Sequence, residues 1–491
     1  MTSISPPPVA IGMAGQDEGR RSPDMPPPRT PQISPSARVP ELLSLAAAHE
    51  QAGQLNDAEE ALNQALALAP QHPGVLHLLG VVRFKQGQIE HAVRLMERSI
   101  TVSPETALYH RNICEVYRTI GRSDDALAAG RKAVALSPGD PHCHHNLGVI
   151  HYHRLELDDA ISCAERALAL DPGLAGAHFG IAEASLLRGD FRRGWEEYEW
   201  RFRLVTAPKL MPPTDRPQWD GTPLGKGKLL LVADQGYGDV IQFARYIPWV
   251  VTRCSEIAVA CSSEIRDVIT QQSGVGMTFD HWQSGPDFSA YCPLSGLPRL
   301  CGTTLETIPA PIPYLHADRQ KAAVWSERLS GLVPAGYRRV GIAWAGRPGH
   351  VNDHNRSTTL SAFAPLAELS GLALISLQKA PGQAQIGTYW GRAPLVNLGA
   401  EIVDFGDTMA ILDSLDVLVT VDTAVAHLAG AMGKPVWLML PFAPDWRWLL
   451  DRADSPWYPT ARLFRQTVAG QWGPVTAAMA RELADAPTAC H

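Results

Sequence analysis

Two textures of apolar and polar residues divide this chain. From residue 228 onward, short unbroken apolar runs dominate: LLLVA (229–233), EIAVAC (256–261), VGIAWA (340–345), LALISLQ (372–378), DVLVTV (416–421) and PVWLML (435–440). Each is too short for a helix, and most are followed by a stretch with helical spacing. Those stretches include VIQFARYIPWVVTRC, SSEIRDVITQQ, a Thr/Ser-capped helix from Thr359, and GDTMAILDSL (406–415). Apolar strands alternating with helices predict parallel sheets covered on both faces. The runs fall into two sets, 228–314 and 337–470, with linkers expected at 209–227 and 315–336 and a C-terminal helix and tail at 471–491. In such sheets ligands sit beyond the carboxyl ends of the strands.

Residues 39–208 have a different texture and a period. Pro70, Pro104, Pro138 and Pro172 are spaced 34 apart. Gly53, Gly87, Gly121 and Gly189 keep the same step, with Leu155 in the remaining slot, and so do Ala58, Ala92, Ala126 and Ala160. Each unit reads as two antiparallel helices, neither able to bury its apolar face alone. The glycine turns the chain, the alanine permits close packing, and the proline ends the second helix. This resembles the tetratricopeptide repeat (TPR) family, with units at 39–72, 73–106, 107–140 and 141–174 and a degenerate fifth at 175–208 ending in WEEYEWRF. The expected fold class is therefore α plus α/β, a TPR solenoid followed by two Rossmann-like domains.

Asn112 and Asn146 hold one repeat position on successive first helices. The TPR arm of O-GlcNAc transferase, which this array resembles, lines its groove with asparagines there, and an amide can pair with both peptide N–H and C=O. The resemblance implies an acceptor groove at Asn112 and Asn146. Only two of five units carry the asparagine, because Ser44, Leu78 and Gly180 take the other places. The histidines of HCHHNLGVIHYH (142–153) lie on several helix faces, so they are read as structural or surface groups and no metal site is expected.

The chemistry is concentrated in VDTAVAHLAGAMGKPV (421–436). Asp422 ends a buried strand, and Thr423 begins or caps the next helix, whose free N–H groups favour an anion. Small residues keep that helix thin, and His427 shares a face with Thr423. The alternative is that Asp422 only caps and His427 only packs. In the first set, Gly236 and Gly238 of DQGYGD present Asp239 at a helix start. The third glycine of a dinucleotide loop and any P-loop are missing.

Taken in order, GDVIQFARYIP, GIAWAGRPGHVNDHNRSTTLSAFAPL, SLQK and VDTAVAHLAGAMGKPVW resemble the ADP-heptose:lipopolysaccharide heptosyltransferase family and its TPR-fused relatives over residues 228–470. That resemblance implies a GT-B fold and inverting, metal-independent transfer from a nucleotide-diphosphate sugar, with no cofactor. It implies Asp239 as catalytic base, and Arg356, Gln378, Lys379, Asp422, Thr423 and His427 as donor-binding residues. Gln378 stands where the family has an acidic nucleoside-binding residue, so the nucleotide stays open. No Asp-x-Asp motif occurs in this half. Trp446, Arg447 and Trp457, in the aromatic stretch 441–466, either edge the cleft or lock the domains, and the second role is preferred.

Composition narrows the partners. A net charge of −7 gives no general pull toward nucleic acid or anionic membranes. The eight cysteines show no metal or disulfide spacing, and no run of 18 apolar residues occurs. A cytoplasmic enzyme is expected, with a proline-rich disordered tail at 1–38 and a protein acceptor recruited by the array. A scaffold with a degenerate transferase half, and a lipopolysaccharide or polysaccharide sugar transferase, are the alternatives.

Overall fold

A computed structural model describes residues 38–204, 214–280, 287–309, 311–350, 352–379 and 381–485. The expected disordered tail lies outside them, apart from Arg38. The chain divides into two compact units, with the boundary at Gly180/Ile181.

The first unit is a run of antiparallel helix pairs: α1 (Val39–Gln51) with α2 (Leu55–Leu68), α3 (Pro73–Lys85) with α4 (Ile89–Val102), α5 (Ala107–Thr119) with α6 (Ser123–Leu136), and α7 (Pro141–His153) with α8 (Leu157–Leu170). The recurring residues do what their chemistry suggests. Gly53, Gly87, Gly121 and Gly189 have φ of 75°, 80°, 76° and 91°, and Leu155 takes the same left-handed turn at 61°. Ala58, Ala92, Ala126 and Ala160 are buried between paired helices. Each repeat proline lies two residues beyond the helix it ends. A further period links neighbouring pairs, since His110, His144 and His178 each bring Nε2 to the carbonyl of Pro104, Pro138 and Pro172, at 2.7, 2.9 and 3.1 Å.

The fifth pair, α9 (Ala175–Leu187) and α10 (Phe191–Tyr198), forms as well, but α10 belongs to the second unit. There Phe191 stacks on Trp457 at 5.9 Å, and Trp195 packs edge-on to Trp446 at 5.1 Å and donates to Thr303 O at 3.1 Å. The degenerate repeat thus begins the α/β body, where the sequence reading began that body at 228. The aromatic residues that distinguish it are the ones packed there.

The second unit holds two all-parallel sheets. The smaller, in order β3-β2-β1-β4, comprises β1 (Gly225–Val232), β2 (Cys254–Ala260), β3 (Val275–Phe279) and β4 (Ala290–Pro293). The larger comprises β5 (Arg338–Ala343), β6 (Leu372–Ser376), β7 (Leu395–Asn397), β8 (Val417–Val421), β9 (Val436–Leu440) and β10 (Ala461–Arg465), in order β10-β9-β8-β5-β6-β7. Numbered from its own first strand this is 6-5-4-1-2-3, the doubly wound arrangement. In register, Val340–Ala343 pair with Val417–Thr420, so the strand order reverses between β5 and β8.

Several sequence expectations change. The linker at 315–336 is largely a helix, Arg319–Leu332, because Asp318 caps it by accepting from Gln320 N and Lys321 N, and Trp325 and Leu329 are buried. The linker at 209–227 already contributes to the sheet, with Trp219 N donating to Tyr291 O. The long helix expected from Val240 is α11 (Tyr237–Ala244) plus a separate turn of five residues at Ile247–Val251, broken around Pro248. The helix from Thr359 is two short turns, interrupted at Pro365. The C-terminal helix, Gly473–Asp485, buries Val475, Met479 and Leu483 in the larger sheet's core and is part of that half.

Candidate functional site

The site forms where the two sheets' carboxyl ends face one another. β1 leads through a short loop into α11, whose N-cap is Gly236. Asp239 therefore stands three residues inside α11 and is not its cap. β8 ends at Val421, and the helix Ala424–Ala431 follows with Thr423 at its N-cap position. Thr423 makes no side-chain capping bond; its hydroxyl lies 3.3 Å from that of Thr420. The start of that helix is not capped by its own N-cap side chain, and a helix N-terminus favours an anion.

The two helix starts touch. A methyl placed on Gly238 would stand 2.8 Å from His427 Cδ2 and 3.6 Å from Ala424 Cα. His427 is buried and fixed, with Nδ1 2.9 Å from Tyr458 Oη and Nε2 3.7 Å from Asp422 Oδ1. Burial, then Arg447, Arg245 and Arg356, push its pKa well below the ordinary histidine value, so the imidazole is neutral. Asp422, also buried, is raised to about 6 by burial and by Asp445, against the pull of Arg356 and Arg447. Arg356 thus lies within electrostatic reach of both, although Asp422 and His427 are more enclosed than an open donor cleft would have them.

Arg447 crosses between the halves. Its Nη2 donates to Asp239 Oδ1, its Nε to Gln242 Oε1 at 2.5 Å, and its Nη1 to Asp445 at 2.9 and 3.1 Å. Burial works against its charge, but Asp445, Asp239 and Tyr198 outweigh it and hold the guanidinium firmly protonated. Arg447 thus locks the two halves of the α/β body together, as expected from its aromatic surroundings. It is also the partner of the expected base.

Arg356 occupies a short turn after β5 (Asp353–Arg356), with Nε 3.5 Å from Asp353 Oδ1 and no hydrogen bond to it. It packs close against Gly346, where an added methyl would meet Nη2 at 2.7 Å. Lys379 is exposed and donates to Ile402 O at 2.7 Å. Gln378, expected to bind the donor, is instead bonded to the backbone around it. Its Oε1 accepts from Trp344 N and Ala345 N, both at 2.9 Å, and its Nε2 donates to Ala345 O and Lys379 O. With both N–H groups committed, it braces the exits of β5 and β6 and has no free donor for a nucleoside.

The array asparagines, expected to line an acceptor groove, bond within the stack. Asn112 is buried, with Nδ2 2.9 Å from His77 Nε2, and Asn146 Nδ2 reaches Arg111 O at 3.4 Å. Successive first helices pack closely enough for these amides to bond across the stack, so Asn112 is not a groove residue. Burial, then Arg111, lowers the pKa of His77 to about 3; burial, then His142, lowers that of His145 to about 4. His151, Glu156 and Asp159 also cluster, but Glu156 accepts from Arg154 Nε at 2.8 Å and binds His151 at 2.6 Å.

Tyr458, Trp448 and Gln242, which the sequence reading did not single out, complete the surroundings of His427 and Arg447. For Tyr458 and Trp448 the one sequence signal was the density of aromatic residues around Arg447; Gln242 lies far away in sequence, within GDVIQFARYIP.

Three tetratricopeptide repeat models match residues 38–105, 77–141 and 141–174. Residues 38–174 are a run of TPR repeats. Protein FlbA of Caulobacter vibrioides is 26% identical over 350 residues, covering 64% of this chain and 55% of FlbA. The chain thus spans about half the length of the curated relative it matches, and the similarity extends past the array into the α/β body. Among solved structures, MamA from Desulfovibrio magneticus (18% identity, 33% of this chain and 92% of that one, TM-score 0.30) is similar. So is a thermophilic TPR protein of Thermus thermophilus (21%, 34% and 91%, 0.31). No helix among the described residues is long and apolar enough to cross a membrane.

Proposed function

We propose that the α/β body is a GT-B glycosyltransferase, similar to the heptosyltransferases, moving a sugar from a nucleotide diphosphate to an acceptor hydroxyl, and that the TPR array recruits a protein acceptor. The observation that carries this reading is the meeting of Gly238 with His427, which brings Asp239 and the Ala424–Ala431 helix start to one junction. Arg356 and Asp422 follow β5 and β8, the strands between which the larger sheet reverses. In this reading the departing diphosphate is received by the helix amides and Arg356, where negative charge develops. The bond from the sugar's anomeric carbon to phosphate oxygen breaks as the acceptor oxygen bonds to that carbon from the opposite face. Asp239 takes the acceptor's proton on Oδ2, the oxygen that Arg447 does not engage.

The test is calorimetric titration of the full chain with UDP-, GDP- and ADP-sugars. Binding of one, with Asp239→Ala abolishing transfer while leaving affinity within about twofold, supports the reading. The ion pair between Asp239 and Arg447 also suits a second reading, a protein-interaction scaffold in which Asp239 only ties the two halves together. Failure of all three donors to bind favours the scaffold.

A further inference from the structure

We propose that Tyr198 and Arg201, from the end of the degenerate fifth repeat, are positioning residues for Asp239: they clamp the loop between β1 and α11 at Asp234 and Gln235, just ahead of the helix that carries Asp239. The role assigned to Asp239 rests on the function proposed above, whereas the clamp stands on geometry alone.

The clamp has two jaws. Arg201 donates through Nε and Nη2 to Ser295 Oγ at 3.0 and 2.5 Å, and Ser295 in turn donates N and Oγ to the carboxylate of Asp234, the N–H at 3.1 Å. Arg201 Nε also stands 3.8 Å from Asp234 Oδ2. All three residues are buried. Asp234 follows β1 and Ser295 follows β4, so Arg201 fills the point where the smaller sheet's order reverses. That crevice in an open α/β sheet ordinarily admits a ligand. Here a side chain of the chain itself occupies it, held further by Tyr198 O at 2.8 Å and Glu199 Oε1 at 2.9 Å.

The second jaw is Tyr198. Its hydroxyl accepts from Gln235 Nε2 at 3.0 Å, and its ring packs edge-on against Trp195 and Trp446. Two consecutive loop residues, Asp234 and Gln235, are thereby anchored to one rigid segment. The next residue, Gly236, caps α11, so the clamp sets where Gly238 meets His427 and where Asp239 meets Arg447. A displacement of about 1 Å at a reacting group costs on the order of a hundredfold in rate, so a residue fixing the loop acts on chemistry without touching substrate.

The experiment compares full-length wild type with Tyr198→Phe, which keeps the ring, and Ser295→Ala, which keeps the Arg201–Asp234 charge pair. Hydrogen exchange is followed at amides 235–239 and, as a reference, in the Ala424–Ala431 helix. Both variants should raise exchange at 235–239 about tenfold and leave the reference helix unchanged. With an identified donor, turnover should fall about tenfold while the donor's Kd stays within about twofold. Unchanged exchange at 235–239, or a uniform rise through the whole body, overturns the clamp. Localised exchange with unchanged turnover overturns the positioning of Asp239. If wild type binds no donor, the proposed function fails and the exchange data still decide the clamp.

Discussion

Gly238 lies directly against the His427 ring, so that a methyl added to the glycine would overlap the imidazole at 2.8 Å. The ring cannot retreat, because Tyr458 holds Nδ1 at 2.9 Å and Trp448 lies 5.3 Å away, centroid to centroid. The junction of the two halves is thus set by the smallest residue on one side and a fixed ring on the other.

Gly238→Ala should therefore destabilise the α/β body by about 1–3 kcal/mol, the usual range for overpacking a filled contact. Thermal unfolding of the full chain checks this. A melting temperature equal to wild type would mean that the junction is looser than its geometry indicates.

Leu155 occupies the slot that glycine fills in the other repeats, with φ of 61°. A left-handed backbone costs a side-chain-bearing residue roughly 1–2 kcal/mol, against about 0.5–1 kcal/mol for glycine's extra freedom when unfolded. Leu155→Gly should stabilise the array by about 0.5–1 kcal/mol. For about 150 residues this is a rise of about 1–4 °C, read by helix circular dichroism. A lower melting temperature would show that the leucine side chain contributes more than the strain costs.

The repeat that Leu155 interrupts was legible because three residue types share one period, each with its own physical job. The strands flanking the site were legible as unbroken apolar runs. β3, β4, β7 and β10 were not, being short or, like Val275–Phe279, partly exposed and without a continuous apolar signature. At the site, Asp422, Thr423 and His427 could be placed because their positions follow from a local strand-to-helix turn. Arg447 with Asp239 and Tyr198 with Gln235 are contacts across 208 and 37 residues. No local pattern encodes such pairings. Gln378 and Asn112 show the converse error, in which a polar residue at a plausible position is spent on neighbouring protein groups.

Acid should weaken the array through His77 and His145. Both are held neutral in the fold, with pKa values lowered to about 3 and about 4, while the unfolded chain takes up protons below 6.5. The unfolded state therefore binds more protons between pH 6.5 and 4, and stability falls with pH across that window. At pH 5 the loss is about 2 kcal/mol per histidine. Urea midpoints followed by helix circular dichroism should drop between pH 7 and pH 5, and His145→Gln should shrink the drop. A pH-independent midpoint would contradict the burial of both rings.

Asp422 works in the opposite direction. Its folded pKa, about 6, exceeds the unfolded 3.8, so the native state holds a proton that the unfolded chain has released. Its contribution is fully present below about pH 4 and is lost as pH rises through 6, on the order of a few kcal/mol. His427, kept neutral, loses stability on acidification over an overlapping range, and the two slopes partly cancel in wild type. Asp422→Asn removes one of them. The variant should match or exceed wild-type stability at pH 7.5 and fall more steeply on acidification toward pH 5, as read from urea midpoints of tryptophan fluorescence. If the proposed donor site is correct, ionised Asp422 also repels a diphosphate. Donor affinity should then weaken severalfold in wild type between pH 5 and pH 7, where the carboxyl ionises, and stay level in Asp422→Asn. Parallel pH profiles for the two proteins would remove Asp422 from the diphosphate's surroundings.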